Sequence, residues 1–210
     1  MASFSVDITD VIFAGGRTGY KVVTISNGPS GGITARLLGN APTHFQVAAV
    51  TANVSYRIST KTSASGGYSA YVRFQNTNDS SDYVDVNLRQ LYAPETSGVQ
   101  MYLSGSTTTI TNNTINVSNQ FGSTEIFLDV PGGAGASGEV TSGSSWLSSV
   151  SQTPTDTGFL KFAAAYISNI DGQQRTGTIR YTSSNLQTRT LTVIQDAGEP
   201  IETLSVTPSS

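Results

Sequence analysis

The feature that most constrains the fold is an alternation of apolar and polar residues with a period of two, which recurs along most of the chain. The clearest alternating segments are 3–6, 20–25, 68–74, 83–88, 126–130, 177–181 and 189–194. This period gives a β-strand one apolar and one polar face. Glycine-rich stretches, such as 14–16, 27–32 and 131–135, separate the segments and favour turns. The pattern predicts an all-β sandwich fold.

Residues 161–167 are the one stretch whose alanines would tolerate a helix, but it is short and flanked by strand-like sequence. We predict a strand there. A chain of 210 residues suits one or two domains. Because a proline and a glycine interrupt the strand pattern within 93–98, we predict two tandem immunoglobulin-like β-sandwiches, at 1–92 and 93–198. Residues 199–210 form a tail, in which Leu204 and Val206 alternate with polar residues, so it is a candidate strand-adding arm.

Composition argues against several classes of function. The net charge is −3 and charged residues make up only 12% of the chain, so there is no basic patch for nucleic acid. With no cysteine and one histidine, thiolate chemistry, disulfides and sites with two imidazoles are excluded. No apolar run approaches the roughly 20 residues of a membrane span, and the start resembles no secretory leader. We expect no cofactor, no metal, no membrane contact and synthesis in a cytoplasm.

Two groups of side chains offer potential metal ligands. His44 precedes a predicted strand, where a loop histidine is favoured over a zinc ligand. The oxygen-rich residues within 76–85 lack the glycine and trailing glutamate of a calcium-binding EF-hand loop, which favours a solvated hairpin turn. No Gly-x-Ser-x-Gly motif is present, and nothing places a serine beside His44. We therefore predict that the protein is not an enzyme and has no catalytic residues.

The second half carries the more specific motifs. Trp146-Leu147, the segment Arg175-Thr-Gly-Thr-Ile179 and the closing Val193-Ile-Gln195 follow one another at a spacing that resembles the BACON domain, over about residues 99–198. That family is an immunoglobulin-like sandwich found in proteins of gut bacteria and their phages, and the resemblance implies carbohydrate binding. Physically, the only tryptophan is best explained as a core anchor, with an exposed sugar-stacking ring as the alternative. The predicted core anchors are Trp146, Leu147, Ile179 and Val193.

The first half resembles, more generically, immunoglobulin-like modules built as strand, Asn-Gly turn, strand, Phe-x-Val and then Gly-Tyr-Ser-Ala before a closing strand. The matching segments are 21–28, 45–47, 67–70 and 84–88. This similarity supports only the fold, because sandwiches of this kind host many functions.

A hydroxyl-rich, weakly charged pair of sandwiches resembles the auxiliary, or decoration, capsid proteins of tailed phages of gut bacteria. The resemblance implies a non-enzymatic virion protein, made in the host cytoplasm and present in many copies. Its implied partners are the major capsid protein or other virion proteins, and glycans. The candidate capsid contacts are Phe4, Ile12, Phe13, His44 and Phe45. The alternatives are a carbohydrate-binding or adhesive module and a phage tail or baseplate component.

Overall fold

The computed structural model describes residues 2–39, 43–61, 66–92, 98–131 and 134–199, and these residues form an all-β structure. The strands of the first half are β1 (Ser5–Val6), β2 (Asp10–Phe13), β3 (Tyr20–Ser26), β4 (Ile33–Leu38), β5 (Phe45–Thr51), β6 (Ser55–Thr60), β7 (Tyr68–Asn76) and β8 (Asp79–Gln90). Those of the second half are β9 (Gln100–Leu103), β10 (Thr114–Val117), β11 (Gly122–Asp129), β12 (Ala136–Ser142), β13 (Leu147–Ser151), β14 (Leu160–Tyr166), β15 (Arg175–Ser183) and β16 (Thr188–Gln195). The predicted fold class, two tandem immunoglobulin-like sandwiches, is confirmed.

In the first half, one sheet has the order β1-β3-β6-β5 and the other β2-β8-β7-β4. Only β2 pairs in parallel, with β8, and it forms one edge of its sheet. The alternation along β7 turns Val72 and Phe74 inward, where they are fully buried. The rings of Phe13 and Phe45 also meet in this core, with centroids 5.9 Å apart.

The second half repeats this plan with the orders β13-β14-β11-β9 and β10-β16-β15-β12. Here β10 pairs in parallel with the last strand, β16. The predicted strand at 161–167 is found as Leu160–Tyr166. The core of this half contains all four predicted anchors, since Trp146 and Leu147 lie in the same buried cluster as Ile179 and Val193.

The three motifs of the second half meet at one place. An added Cβ on Gly177 would lie 2.9 Å from Trp146 Cζ2 and 2.9 Å from Leu147 Cδ2, so the tryptophan packs directly on the glycine backbone. The guanidinium of Arg175 covers the indole ring at 4.6 Å and donates from Nε to Gln195 Oε1 at 2.8 Å. The motifs are therefore joined by packing within the fold.

Three of the candidate capsid contacts need correction. Phe4, Phe13 and Phe45 are 4%, 0% and 0% exposed and form part of the first core, so these rings are not available to a partner. Phe13 and Phe45 lie on the inward faces of β2 and β5, and Phe4 immediately precedes β1. Ile12 and His44 are half-buried, and the imidazole of His44 stacks on Tyr68 with centroids 3.4 Å apart.

Two predictions from the sequence lie outside the described residues. They are the strand-adding tail with Leu204 and Val206, and the predicted boundary between the sandwiches at residues 93–97. Within the described ranges, no helix has the length and hydrophobicity that a membrane crossing requires.

Candidate functional site

A set of hydrogen bonds joins the two sandwiches where they meet. The loop between β2 and β3 runs along the second half and bonds to it through its backbone. Ala14 N–H donates to Thr157 O at 2.9 Å, and Tyr20 N–H donates to Asp156 O at 2.8 Å. The approach is this close because Gly19 has no side chain, since a Cβ there would lie 2.8 Å from the carbonyl carbon of Thr157.

Arg17 reaches from this loop into the second half. Its Nη1 donates to Gly158 O at 2.6 Å and its Nη2 donates to Val130 O at 2.8 Å. The backbone carbonyl of Arg17 in turn accepts a 3.0 Å bond from Gln90 Nε2 in the first half. One arginine therefore bonds to both sandwiches, and its guanidinium is held by two carbonyls in a fork geometry that a lysine would not reproduce.

Asp129, at the end of β11, faces this loop from the second half. Its side chain is 0% exposed, its Oδ2 accepts a 2.7 Å bond from Gly15 N–H, and its Oδ1 lies 3.9 Å from Arg17 Nε. Burial raises the pKa of Asp129 to about 6, against the opposing effects of the Gly15 hydrogen bond and the Arg17 charge. Burial also lowers the pKa of Arg17. The junction thus holds a carboxyl group that titrates in a mildly acidic range.

Apolar side chains pack beside this polar cluster. Ala14 from the first half and Tyr102 and Phe159 from the second are 0%, 4% and 3% exposed and form a small core of their own. Tyr102 meets Phe159 edge-on at 5.8 Å, and its hydroxyl donates to Gln100 Oε1 at 2.5 Å. Burial, with the neighbouring Asp129 charge, raises the pKa of Tyr102 to about 12. The two halves therefore share buried apolar surface as well as hydrogen bonds.

A cleft of about 610 Å³ opens next to this shared core. Its lining comprises Ile8, Asp10, Val11 and Ile12 of the first half and residues 104–106 and 153–157 of the second. The stacked rings of Phe127 and Phe159, 5.8 Å apart, also line it, and its charged lining residues are Lys21, Lys161, Asp10 and Asp156. Lys161 is already paired with Glu125.

Among the described residues, no cluster of three or more histidine, cysteine or acidic side chains could hold a metal ion. Asp82, in the oxygen-rich hairpin, instead accepts bonds from the Ser3 hydroxyl, from Asn76 Nδ2 at 2.9 Å and from the backbone N–H of Ser3 at 2.7 Å. These bonds lower its pKa, so this carboxylate fastens the N-terminal segment to the β7–β8 hairpin.

The comparisons with known proteins identify no family. No family model matches the chain, and no curated protein matches it. Among solved structures, an endo-fucoidan hydrolase from glycoside hydrolase family 107 has 10% identity and a TM-score of 0.40 over 90% of this chain, which spans 28% of that protein. Domains 5–6 of the S-layer protein SbsC have 13% identity and a TM-score of 0.36, over 92% of this chain and 96% of theirs.

The titin Ig tandem domains A164–A165 have 6% identity and a TM-score of 0.35, over 93% of this chain and 97% of theirs. These scores are all below 0.5, so the likenesses carry no argument about activity.

Proposed function

We propose that this chain is a non-enzymatic structural protein of a virion, an auxiliary or decoration subunit on the capsid of a tailed phage. In this role one sandwich is seated on the capsid and the other projects from it. A carbohydrate-binding domain resembling BACON modules would suit the projecting half. The major capsid protein or another virion protein is the partner, and many copies decorate one particle.

The observation that carries the proposal is the junction. The bonds of Arg17, the Gly15–Asp129 bond and the two backbone bonds hold the sandwiches in one orientation. A subunit repeated over a capsid lattice needs a fixed shape, because identical contacts must form at every symmetry-related position. Two flexibly linked sandwiches would lose more conformational entropy on seating.

The test is to locate the protein in purified phage particles from its source. Quantitative mass spectrometry is expected to find it in a fixed ratio to the major capsid protein, and cryo-electron microscopy to show two-lobed density on the head. A fixed ratio with density on the tail would assign the protein to the tail or baseplate instead. Absence from particles would overturn the virion role altogether.

A glycan-binding role has one specific observation in its favour. The ring of Tyr92 is 71% exposed and packs against Gly67, so closely that a Cβ there would lie 2.7 Å from Tyr92 Cε2. Arg89 and Asn87 line the same surface groove of about 520 Å³. An exposed aromatic face beside amide and guanidinium donors is the arrangement that stacks on a sugar ring.

Glycan-array binding tests this second candidate. We expect Tyr92→Ala to abolish any array signal, while Tyr83→Ala leaves it unchanged. Tyr83 is a matched control because it is 41% exposed but its ring is already covered by the guanidinium of Arg73, at 3.7 Å. Equal signals from both variants would remove the Tyr92 surface from consideration.

A further inference from the structure

The outer edge of β2 presents unpaired backbone groups to the cleft between the sandwiches. Towards β8, the carbonyls of Thr9 and Phe13 accept bonds from Asn87 N–H and Leu91 N–H. Backbone groups of successive strand residues point to opposite edges, so those of Asp10 and Ile12 point away from β8.

The bond of Ala14 confirms this direction, since Ala14 N–H, two residues beyond Ile12, donates outward to Thr157 O of the second half. Asp10 and Ile12 also line the cleft. Their backbone N–H and C=O groups are therefore available to a further strand, and an open edge of this kind is a template for strand addition.

Residues 153–157 of the second half line the same cleft as Asp10 and Ile12, and the rings of Phe127 and Phe159 give it apolar surface. A strand in this space would bond to β2 through its backbone and place alternate side chains on the rings. The salt bridges of the described residues do not include Lys21, so its ammonium group lies in the cleft without a carboxylate partner among them.

We propose that residues 201–206 of a second copy of this chain bind in the cleft as a strand added to the outer edge of β2. The segment reads Ile-Glu-Thr-Leu-Ser-Val, in which Leu204 and Val206 fall on one strand face together with Glu202. The two apolar side chains match the rings of Phe127 and Phe159 that line the cleft. Glu202, the only acidic residue of 200–210, matches the unpaired Lys21.

The geometry requires the segment to come from another copy. The chain leaves the second sandwich at Gly198, whose N–H donates to Asp171 O beyond the far end of β14. The cleft is at the opposite end of that strand, and seven strand residues span about 20 Å. Ile201, where the proposed strand begins, is three residues from Gly198 and reaches at most about 11 Å from it. The segment 201–206 therefore falls short of its own cleft.

Such a contact joins one end of a copy to the middle of the next, which is a head-to-tail association that forms rings or open chains. The inference rests on the proposed function in that it supplies a contact between subunits of an assembly. Its test uses the purified protein alone, so its failure would leave the search for the protein in phage particles unaffected.

The first measurement is sedimentation velocity of the full chain and of a chain lacking residues 200–210, at about 10–500 µM. We expect concentration-dependent association of the full chain and a monomer for the shortened one, which retains every described strand. A monomeric full chain at the highest concentration would overturn the proposal. Equal association of both chains would also overturn it.

The second measurement is a charge exchange, which separates the proposed contact from other effects of the tail. Lys21→Glu and Glu202→Lys are each expected to weaken association by roughly five- to tenfold, because an attractive pair becomes a repulsive one. The chain that carries both changes should regain most of the loss. Arg189→Glu, an exposed charge reversal on β16 away from the cleft, is the control and should have no effect.

Failure of the double change to restore association would show that Glu202 and Lys21 are not partners and would overturn this register.

A third variant tests the backbone pairing. Ile12→Pro removes an outward N–H without removing a bond to β8, and proline is tolerated on an edge strand in this orientation. We expect it to abolish association while the circular dichroism spectrum is preserved. Undiminished association would overturn strand addition to β2.

Discussion

The buried carboxyl group at the junction makes the stability of the second sandwich depend on pH in an unusual direction. Burial raises the pKa of Asp129 from 3.8 to about 6, so the folded protein binds a proton more tightly than the unfolded chain does. Protonation therefore stabilises the fold. The stabilisation by proton binding to Asp129 is fully present below about pH 4, the pKa of the group in the unfolded chain. It is lost as the pH rises through about 6, the pKa in the folded protein.

The magnitude follows from the two pKa values. At pH 7.5 the group is ionised in both states and contributes almost nothing. At pH 5 it is mostly protonated in the folded state and mostly ionised in the unfolded state, which stabilises the fold by about 1.4 kcal/mol. The lowered pKa of Asp79 and of Asp82 affects stability only below about pH 4, where protonation removes their hydrogen-bonded carboxylates.

Urea unfolding followed by tryptophan fluorescence measures this effect, because Trp146 is the only tryptophan and lies in the core of the same half as Asp129. The free energy of unfolding should rise by about 1.4 kcal/mol from pH 7.5 to pH 5 at constant ionic strength. Asp129→Asn, which does not titrate, should abolish that rise, and the exposed Asp196→Asn should not. A rise that persists in Asp129→Asn would refute the assignment.

Two further substitutions test the packing. Trp146→Ala should lower the free energy of unfolding by about 3–5 kcal/mol, measured by circular dichroism in urea, because it leaves a cavity against Gly177; a loss below about 1 kcal/mol would contradict its role as a core anchor. Gly19→Ala should separate the sandwiches, because its Cβ would lie 2.8 Å from the Thr157 carbonyl carbon, and small-angle X-ray scattering should show a larger maximum dimension. Gly98→Ala, with nothing within 4 Å of its Cβ, should leave that dimension unchanged, and equal dimensions for both variants would contradict the tight junction.

The alternation of residues predicted the strands that bury one face, such as β7 and β15, because each packs against a single core. It missed β2, whose sequence Asp-Val-Ile-Phe does not alternate cleanly. Ile12 packs against the second half while Val11 and Phe13 fill the first core, so apolar residues occur on both faces. It also missed β13, which is mostly serine and is held by pairing with β14.

The junction was not predicted, because its two charged residues belong to different halves and 112 positions separate them. Asp129 did leave a trace in the sequence, as an acid within the otherwise apolar end of β11. Alternation should have placed its carboxylate in solvent, since Leu128 points into the core, yet the first sandwich covers it. The sequence gives no such signal for Arg17, because an arginine in a glycine-rich loop is ordinarily solvated.

The burial of Asp129 and the position of Arg17 are understandable only when the two sandwiches are packed together. Asp129 without Arg17 would be a buried carboxyl group with one hydrogen-bond donor, whereas Arg17 without Asp129 would still have two carbonyl acceptors. Removal of Arg17 therefore destabilises the protein more than removal of Asp129, because it leaves the buried carboxylate of Asp129 without an opposite charge. The orientation of the sandwiches, and with it the shape of the cleft beside β2, thus depends more on the loop of the first half than on the strand of the second.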